Sequence, residues 1–290
     1  MQTLNRWAGF VFLLFNSKTI FRLLPGLILV GMYVALLIFI HANFPRIQLK
    51  IPTSIHSLLG IVLGLLLVFR TNTAYERWWE GRILLGQLVN SSRNLAIKFN
   101  IFLGKGNAAT KQYLGKLIAN YAFAMKEHLR EGVIWEEIEE TERPTILDLK
   151  NYIHVSNRIA GLIYEEANSL YVMGIFTNVQ LLMLDKQLEV FTDVAGACER
   201  IKKTPIPLAY SEHLKKFIFL FILILPMGFI HELKYMSIPV VMIIYYAFVG
   251  LQLIGEEIED PFGKDANDLP TDQICETVRS SVYEILGVRP

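Results

Sequence analysis

The sequence predicts an all-α membrane protein with four transmembrane helices per subunit. Apolar residues make up 53% of the 290 residues and charged residues only 19%, whereas charged residues average about 25% of soluble domains. No acidic residue occurs before Glu76. A soluble domain would seldom lack acids over such a length, because its surface needs charges of both signs. Apolar runs of nearly membrane-spanning length occur in two close pairs, and no alternating strand pattern or fixed-period repeat is present.

The first pair of apolar runs predicts two transmembrane helices near the N-terminus. Residues 1–22 lack the small-residue cleavage site of a signal peptide and are expected to be a cytosolic segment. Residues 23–42 are transmembrane helix 1, because they are long and apolar enough to cross about 30 Å of hydrocarbon. Residues 54–70 are the transmembrane part of helix 2. No proline or strong turn pair follows before about Phe99, so this helix is expected to continue far beyond the membrane.

The middle of the chain, residues 71–216, predicts an inserted cytosolic helical domain. Helices are expected over about Thr110–Arg130, from Thr145 with Asp148 in its first turn, and over Gly174–Arg200. The acidic run Glu136–Glu142 is expected to form a surface linker.

The second pair of apolar runs predicts transmembrane helices 3 and 4 at residues 217–232 and 238–254. Residues 255–290 are then a cytosolic acidic C-terminal segment. Runs this short also occur as buried helices of soluble bundles, but two such hairpins in one chain favour a membrane protein.

The positions of lysine and arginine predict the orientation. Nineteen of the 28 lie between Arg70 and Lys216, while the 41–54 loop has two and the 231–237 loop has one. Cytoplasmic loops carry the excess of cations, so both termini and the middle domain are expected in the cytoplasm. The chain is therefore predicted to be a multi-pass integral membrane protein.

A search for catalytic or metal-binding motifs is mostly negative, so an enzyme is not expected. A formal net charge of +1 gives no support for nucleic-acid binding, and two cysteines are too few for a disulfide framework. The six histidines have no metal-ligand spacing, and His56 is expected to be solvated at the outer mouth of helix 2. The carboxylates of Glu256–Asp268 suit a metal or paired-carboxylate site, although a solvated helix end is the preferred interpretation.

Helix 2 carries the sharpest pattern in the sequence. Gly60 and Gly64 form a GxxxG pair, which permits close helix packing. On another face Ile61, Leu65 and Phe69 recur every four residues. Such a stripe either faces lipid or, in a ring of subunits, forms apolar collars that gate a pore by dewetting. The pattern alone leaves both interpretations open.

Two motifs resemble those of the bestrophin family of ion channels, most closely its prokaryotic branch. They are RTNTAYERWWEGR after helix 2 and GEEIEDPFGKDANDLP after the fourth apolar run. The likeness extends over nearly the whole chain, and it implies a location in the bacterial inner (plasma) membrane. It implies a homopentamer with a central pore lined by the second helices, a neck at Ile61, Leu65 and Phe69, and a cytosolic aperture at Val179.

The resemblance also assigns a possible, degenerate calcium clasp to Glu257, Asp260, Asp265 and Asp268. Lys264 interrupts this run of acids and lowers its charge, which weakens calcium binding. No cofactor is therefore expected to be required, and activation by calcium is not expected.

The resemblance implies a channel for monovalent ions. Conduction of cations such as sodium, which bacterial relatives suggest, is preferred. Conduction of chloride, which animal members of the family suggest, is the other candidate. The expected partners are further copies of the chain, membrane lipids and the permeant ions, and no nucleic acid. Two alternatives remain: a membrane-anchored metal-dependent enzyme that uses the C-terminal carboxylates, and a non-conducting scaffold.

Overall fold

The computed structural model describes residues 18–44, 51–130, 132–141 and 145–288. Most of the predicted N-terminal segment, the two cations of the 41–54 loop and the end of the predicted acidic linker lie outside these ranges. The regular secondary structure of the described residues is entirely helical. The α-helices are α1 (Lys18–Asn43), α2 (Thr53–Leu103), α3 (Ala108–His128), α4 (Ile146–Leu149), α5 (Val155–Val172), α6 (Asn178–Lys203), α7 (Leu208–Ile224), α8 (Pro226–Leu233), α9 (Ser237–Glu259) and α10 (Thr271–Leu286).

Helix α2 is a single helix of 51 residues, as the absence of proline predicts. At 1.5 Å per residue it is about 75 Å long. It ends at Leu103, just before Gly104, whose positive φ of 61° is readily adopted only by glycine.

The chain divides into two compact units, and α2 contributes to both. The first unit contains the described residues up to Tyr75 together with Ile206–Glu259. The second contains Glu76–Pro205 together with the residues from Asp260 onward. Each unit is therefore built from two separate parts of the chain.

The first unit holds the apolar helices. Within the described part of the chain, three helical stretches are long and apolar enough to cross a membrane: Thr19–Asn43, Thr53–Leu103 and Leu208–Glu259. The third stretch contains both of the last two predicted spans. Its backbone is interrupted at Pro226, which starts α8, and at Lys234, which has a φ of 49°.

Small residues and buried polar contacts hold the helices of the first unit together. Gly26 of α1 lies against Tyr245 of α9 so closely that a methyl group there would overlap the tyrosine hydroxyl. His56 at the start of α2 is buried, with its Nε2 2.9 Å from the Ile224 carbonyl oxygen. The expectation that His56 is solvated is therefore wrong, because the start of α2 is covered by the end of α7.

Of the two glycines in the GxxxG pair of α2, one packs against another helix of the same protomer. A methyl group at Gly60 would lie 3.5 Å from the ring of Phe221 on α7. At Gly64 no atom of the described residues would come within 4 Å. The protomer itself therefore leaves the surface at Gly64 open.

The second unit is organised around α3, which packs against α5 and α10. All but one of the residues from Leu114 to Glu127 are buried. Helix α10 lies in the segment that was predicted only to be acidic. Its buried residues Cys275, Val278, Val282 and Leu286 form the stripe that covers α3.

Local capping sets two helix starts in the second unit. Thr145 and Asp148 form a reciprocal capping box, as the sequence suggests, but α4 ends after four residues and α5 begins separately. Helix α6 begins at Asn178 rather than at Gly174, because Thr177 and Gln180 form a second capping box. Gly174 instead occupies the preceding loop with a φ of 73°.

Candidate functional site

The predicted neck residues form an uncovered stripe on α2. Ile61, Leu65 and Phe69 are 70%, 55% and 58% exposed in the protomer, whereas Leu63 and Leu67 on the other side of the helix are buried. Three large apolar side chains without cover need either lipid or another subunit around them. The geometry is thus what a pore-lining stripe requires, but a lipid-facing stripe has the same exposure.

A similar stripe on α1 shows why exposure alone does not identify the pore. Ile28, Met32 and Leu36 have the same four-residue spacing and are between 52% and 62% exposed. The two stripes differ in the residues that continue the same helix face beyond them.

The face of α2 that carries the neck residues extends in both directions. At 100° per residue, Leu58, Asn72 and Glu76 lie within the same arc of about 80° as the three neck residues. All three are exposed. Leu58 would add one more apolar turn to the predicted neck, beyond the three residues expected from the sequence. Glu76, the first acidic residue of the sequence, also lies on this helix face.

Arg70 follows the neck and is buried, with 2% of its surface exposed. One Nη atom donates to Glu259 of α9 at 3.0 Å, and the second oxygen of this carboxylate accepts the backbone N–H of Ile206 at 2.9 Å. A buried guanidinium without a carboxylate partner would carry a large desolvation cost. This pair therefore fixes α2 to the end of α9.

All three glutamates at the end of α9 pair with cations of other helices. Glu256 contacts Lys215 of α7, Glu257 contacts Arg22 of α1 at 2.7 Å, and Glu259 contacts Arg70 of α2. These carboxylates are mostly covered. The preferred interpretation of a solvated helix end is therefore wrong for them, because they join α9 to three neighbouring helices.

The four possible calcium-clasp residues also have defined contacts. Glu257 pairs with Arg22, Asp260 pairs with Lys202 at 2.6 Å, and the Asp268 carboxylate accepts the backbone N–H of Asp265 at 2.6 Å. Two groups of three potential metal ligands occur in the described residues, and the four clasp residues belong to neither. The groups are Glu127, Glu137 and Asp272, and His128, His154 and Glu199.

The first of these groups is an ion-pair network. Lys126 contacts Glu127, Glu137 and Asp272 at 2.6–3.0 Å, and Arg130 contacts Glu127 and Asp272. Burial works against the charge of Lys126, but the hydrogen bonds that its ammonium group donates to the three carboxylates raise its pKa overall. The hydrogen bond from Arg130, and then that from Lys126, hold the pKa of Asp272 well below its ordinary value. Two resident cations, Lys126 and Arg130, already offset most of the charge of these three acids.

The two motifs that carry the resemblance meet in the second unit. Trp78 donates its indole N–H to the Asn267 carbonyl oxygen at 3.0 Å. A methyl group at Gly81 would lie 3.1 Å from the ring of Phe262, which is buried. The glycine of RWWEGR thus leaves space for the phenylalanine of PFG. Their co-occurrence in the sequence has a packing reason.

Val179, the predicted aperture residue, lies in the first turn of α6 and is 67% exposed. The neighbouring Leu182 and Met183 are also exposed. The Thr177 capping box fixes the start of α6, so this apolar end has a defined conformation.

Comparisons with known proteins identify the family. The sequence model of the family described as bacterial/fungal bestrophin protein matches residues 1–284. The chain belongs to the bestrophin family. This confirms the resemblance seen in the two motifs.

Several curated relatives of this bestrophin are named voltage-dependent anion channel-forming proteins. One from Synechocystis sp., sll1024, is 39% identical over 251 residues, which cover 84% of this chain and 80% of the relative. YneE from Escherichia coli strain K12 is 27% identical over 285 residues, covering 97% and 92%.

Solved structures match the bestrophin fold. A variant of a bacterial bestrophin homologue from Klebsiella pneumoniae has a TM-score of 0.85 and 28% identity, covering 93% of this chain and 100% of that chain. The predicted all-α fold class is confirmed for the described residues.

Proposed function

We propose that this bestrophin forms a homopentameric channel for monovalent ions in the bacterial inner membrane, with both termini in the cytoplasm. The observation that carries the proposal is the uncovered apolar stripe Ile61, Leu65 and Phe69 on a continuous helix. Family membership and the channel names of relatives support it. Closed rotational symmetry would place five copies of this stripe around one axis.

In this channel the stripe forms the neck and Val179 forms a second, cytosolic aperture. Stacked apolar collars hold water poorly, so the wetting of the neck sets the fraction of time in which ions pass. Apolar side chains do not distinguish the sign of an ion. Selectivity must therefore come from charges close to the path.

Glu76 is the observation that favours cations, sodium among them. It is exposed and has the helix register of the neck residues. Five copies would give a ring of carboxylates, the arrangement found in cation channels. The names of the relatives favour anions as the second candidate.

The reversal potential of purified protein in planar bilayers under a NaCl gradient distinguishes these candidates. We expect a value near the sodium equilibrium potential, and a shift towards zero in Glu76→Gln. Glu284→Gln is the matched control, because Glu284 is an exposed carboxylate on α10. A wild-type reversal potential near that of chloride would overturn the cation proposal and favour anions.

A second experiment tests the neck itself. Ile61→Ala, Leu65→Ala and Phe69→Ala combined should raise single-channel conductance, because smaller side chains widen the collars and let them wet. Ile28→Ala, Met32→Ala and Leu36→Ala combined is the control, with the same spacing and similar exposure on α1. Equal conductance in the wild type and the neck variant would show that the α2 stripe does not line the pore.

The two alternatives have less support. A metal-dependent enzyme would need the carboxylates at the end of α9, but each of those three glutamates has a cation partner. A non-conducting scaffold predicts no current at any voltage. Native mass spectrometry tests the assembly directly, and the pentamer predicts five times the 33.2 kDa chain.

A further inference from the structure

Two histidines and one glutamate converge in the second unit. His128 is the last residue of α3, His154 directly precedes α5, and Glu199 lies near the end of α6. They are far apart in the sequence, which explains why ligand spacing does not reveal them. The helix packing alone brings them together.

Their potential ligand atoms have nearly the separation that a tetrahedral metal needs. His128 Nε2 lies 3.1 Å and His154 Nδ1 lies 4.0 Å from the same oxygen, Oε1 of Glu199. All three atoms lie within 4.8 Å of one another. Zinc binds nitrogen and oxygen at about 2.0–2.2 Å, which places tetrahedral ligand atoms about 3.3–3.6 Å apart. Side-chain rotations that bring the outer atoms closer together would reach this geometry.

The ligand set selects the metal class. Two imidazoles, one carboxylate and an open fourth position for water are typical of zinc sites. Calcium and magnesium prefer oxygen ligands only, so they fit poorly. His154 is 46% exposed, which gives a metal ion access to the group from solvent.

Glu199 supplies the negative charge of the site. Lys203 donates a hydrogen bond to Oε2 of this carboxylate at 2.8 Å, and Oε1 lies on the side of the histidines. His128 lies at the C-terminal end of α3, where the helix dipole favours positive charge. Lys203 itself is well exposed, so solvent screens its repulsion.

Two other groups in the described residues are weaker candidates. Lys126 and Arg130 already occupy the centre of the three-carboxylate group. His41 and His231 are in edge-to-face contact, with ring centroids 4.3 Å apart, but they supply only two ligands.

We propose that His128, His154 and Glu199 form a binding site for a divalent transition metal of the zinc class. The ion would join the end of α3, the start of α5 and the end of α6. Metal binding to the folded state alone stabilises it by mass action, so the site would also raise the unfolding temperature. The proposal does not depend on the ion that the channel conducts.

Zinc binding to the full-length protein tests the proposal. The protein is purified in detergent without a histidine tag, stripped with a chelator, freed of the chelator and titrated with ZnCl2 by calorimetry. A parallel titration with CoCl2 reports the coordination geometry through its visible absorption, and MgCl2 is the oxygen-preferring comparison. The variants are His154→Ala and Glu199→Gln, both at partly exposed positions, with circular dichroism to check helix content.

Two controls exclude other histidines. His213→Ala removes an exposed histidine outside the group, and His41→Ala with His231→Ala removes the other histidine pair. We expect one zinc ion per chain, a tetrahedral cobalt spectrum, and at least about 10-fold weaker zinc binding in His154→Ala and Glu199→Gln, since even the loss of an outer-shell partner costs 10-fold. Both control variants should bind zinc as the wild type does.

Three results would overturn the proposal. They are the absence of saturable zinc binding, unchanged affinity in both site variants, and loss of binding in the His41 and His231 variant instead.

Discussion

The buried ion-pair network between α3 and α10 gives a quantitative prediction for Lys126→Met. Lys126 is only 2% exposed, and its ammonium group contacts three carboxylates. Methionine preserves most of the apolar stem but removes the charge. Among the described residues, Glu127, also buried, then keeps Arg130 as its one cation partner, at 3.2 Å.

The expected loss of stability follows from this geometry. Removal of one partner from a buried ion pair costs about 3–5 kcal/mol, and the remaining Arg130 contact places the value near the lower end. About 3 kcal/mol corresponds to a fall of roughly 100-fold in the ratio of folded to unfolded protein. For a unit of this size, the unfolding temperature should fall by about 6–12 °C.

Thermal unfolding of the purified protein in detergent, at one fixed scan rate, measures this change. Lys186→Met is the control, because Lys186 is exposed on α6 and its loss should change stability by less than about 0.5 kcal/mol. Lys126→Met combined with Glu127→Gln should recover part of the loss, since the buried carboxylate is then neutral.

The same network predicts the pH dependence. The lowered pKa of Asp272 means that its stabilising contribution is present above its ordinary pKa of about 4 and is lost as the pH falls further. The difference in stability between the wild type and Lys126→Met should therefore shrink below about pH 4. A difference under about 1 kcal/mol at pH 7, or one that stays constant down to pH 3, would refute the reasoning.

Two further predictions concern thiol reactivity and close packing. Burial raises the pKa of Cys198 and of Cys275 to about 12, so neither thiol should react with maleimide at pH 7.5 until detergent denaturation exposes it; fast labelling of the native protein would contradict this. Gly228→Ala should destabilise by about 1–3 kcal/mol, because the new methyl group would lie 2.8 Å from the ring of His56. At Gly64 an added methyl group would meet no atom of the described part of the protomer within 4 Å, so Gly64→Ala should leave the thermal stability unchanged or higher. Equal losses in both variants would argue against the packing explanation.

Local sequence rules were sufficient for the helices whose ends are marked by specific residues. The uninterrupted run after Thr53 specifies α2, and the Thr145 cap specifies α4. Helix α10 was missed because its acidic surroundings concealed a regular apolar spacing, with Val278 and Val282 four residues apart on one face. The helical period in that segment was the signal that would have found it.

Tertiary contacts were not predictable in the same way. The three glutamates of α9 find their cations on α1, α2 and α7, and no spacing along the chain encodes which cation each one meets. The group of His128, His154 and Glu199 depends likewise on three separate helices. The stripe from Ile61 to Phe69 was visible because its members share one helix.

The discontinuity of the second unit has a consequence for how the protein is made. The buried face of α3 is synthesised early, but α10, which covers it, is separated from it by all the residues of α7–α9. At about 5–20 residues per second, roughly 8–30 s pass between synthesis of Arg130 and of Leu286. During that time the part of α3 that α10 covers is open to chaperones, proteases and aggregation. The ribosome must therefore produce α7–α9 before it produces α10. The second unit can complete its hydrophobic core only after the last apolar helices have been synthesised.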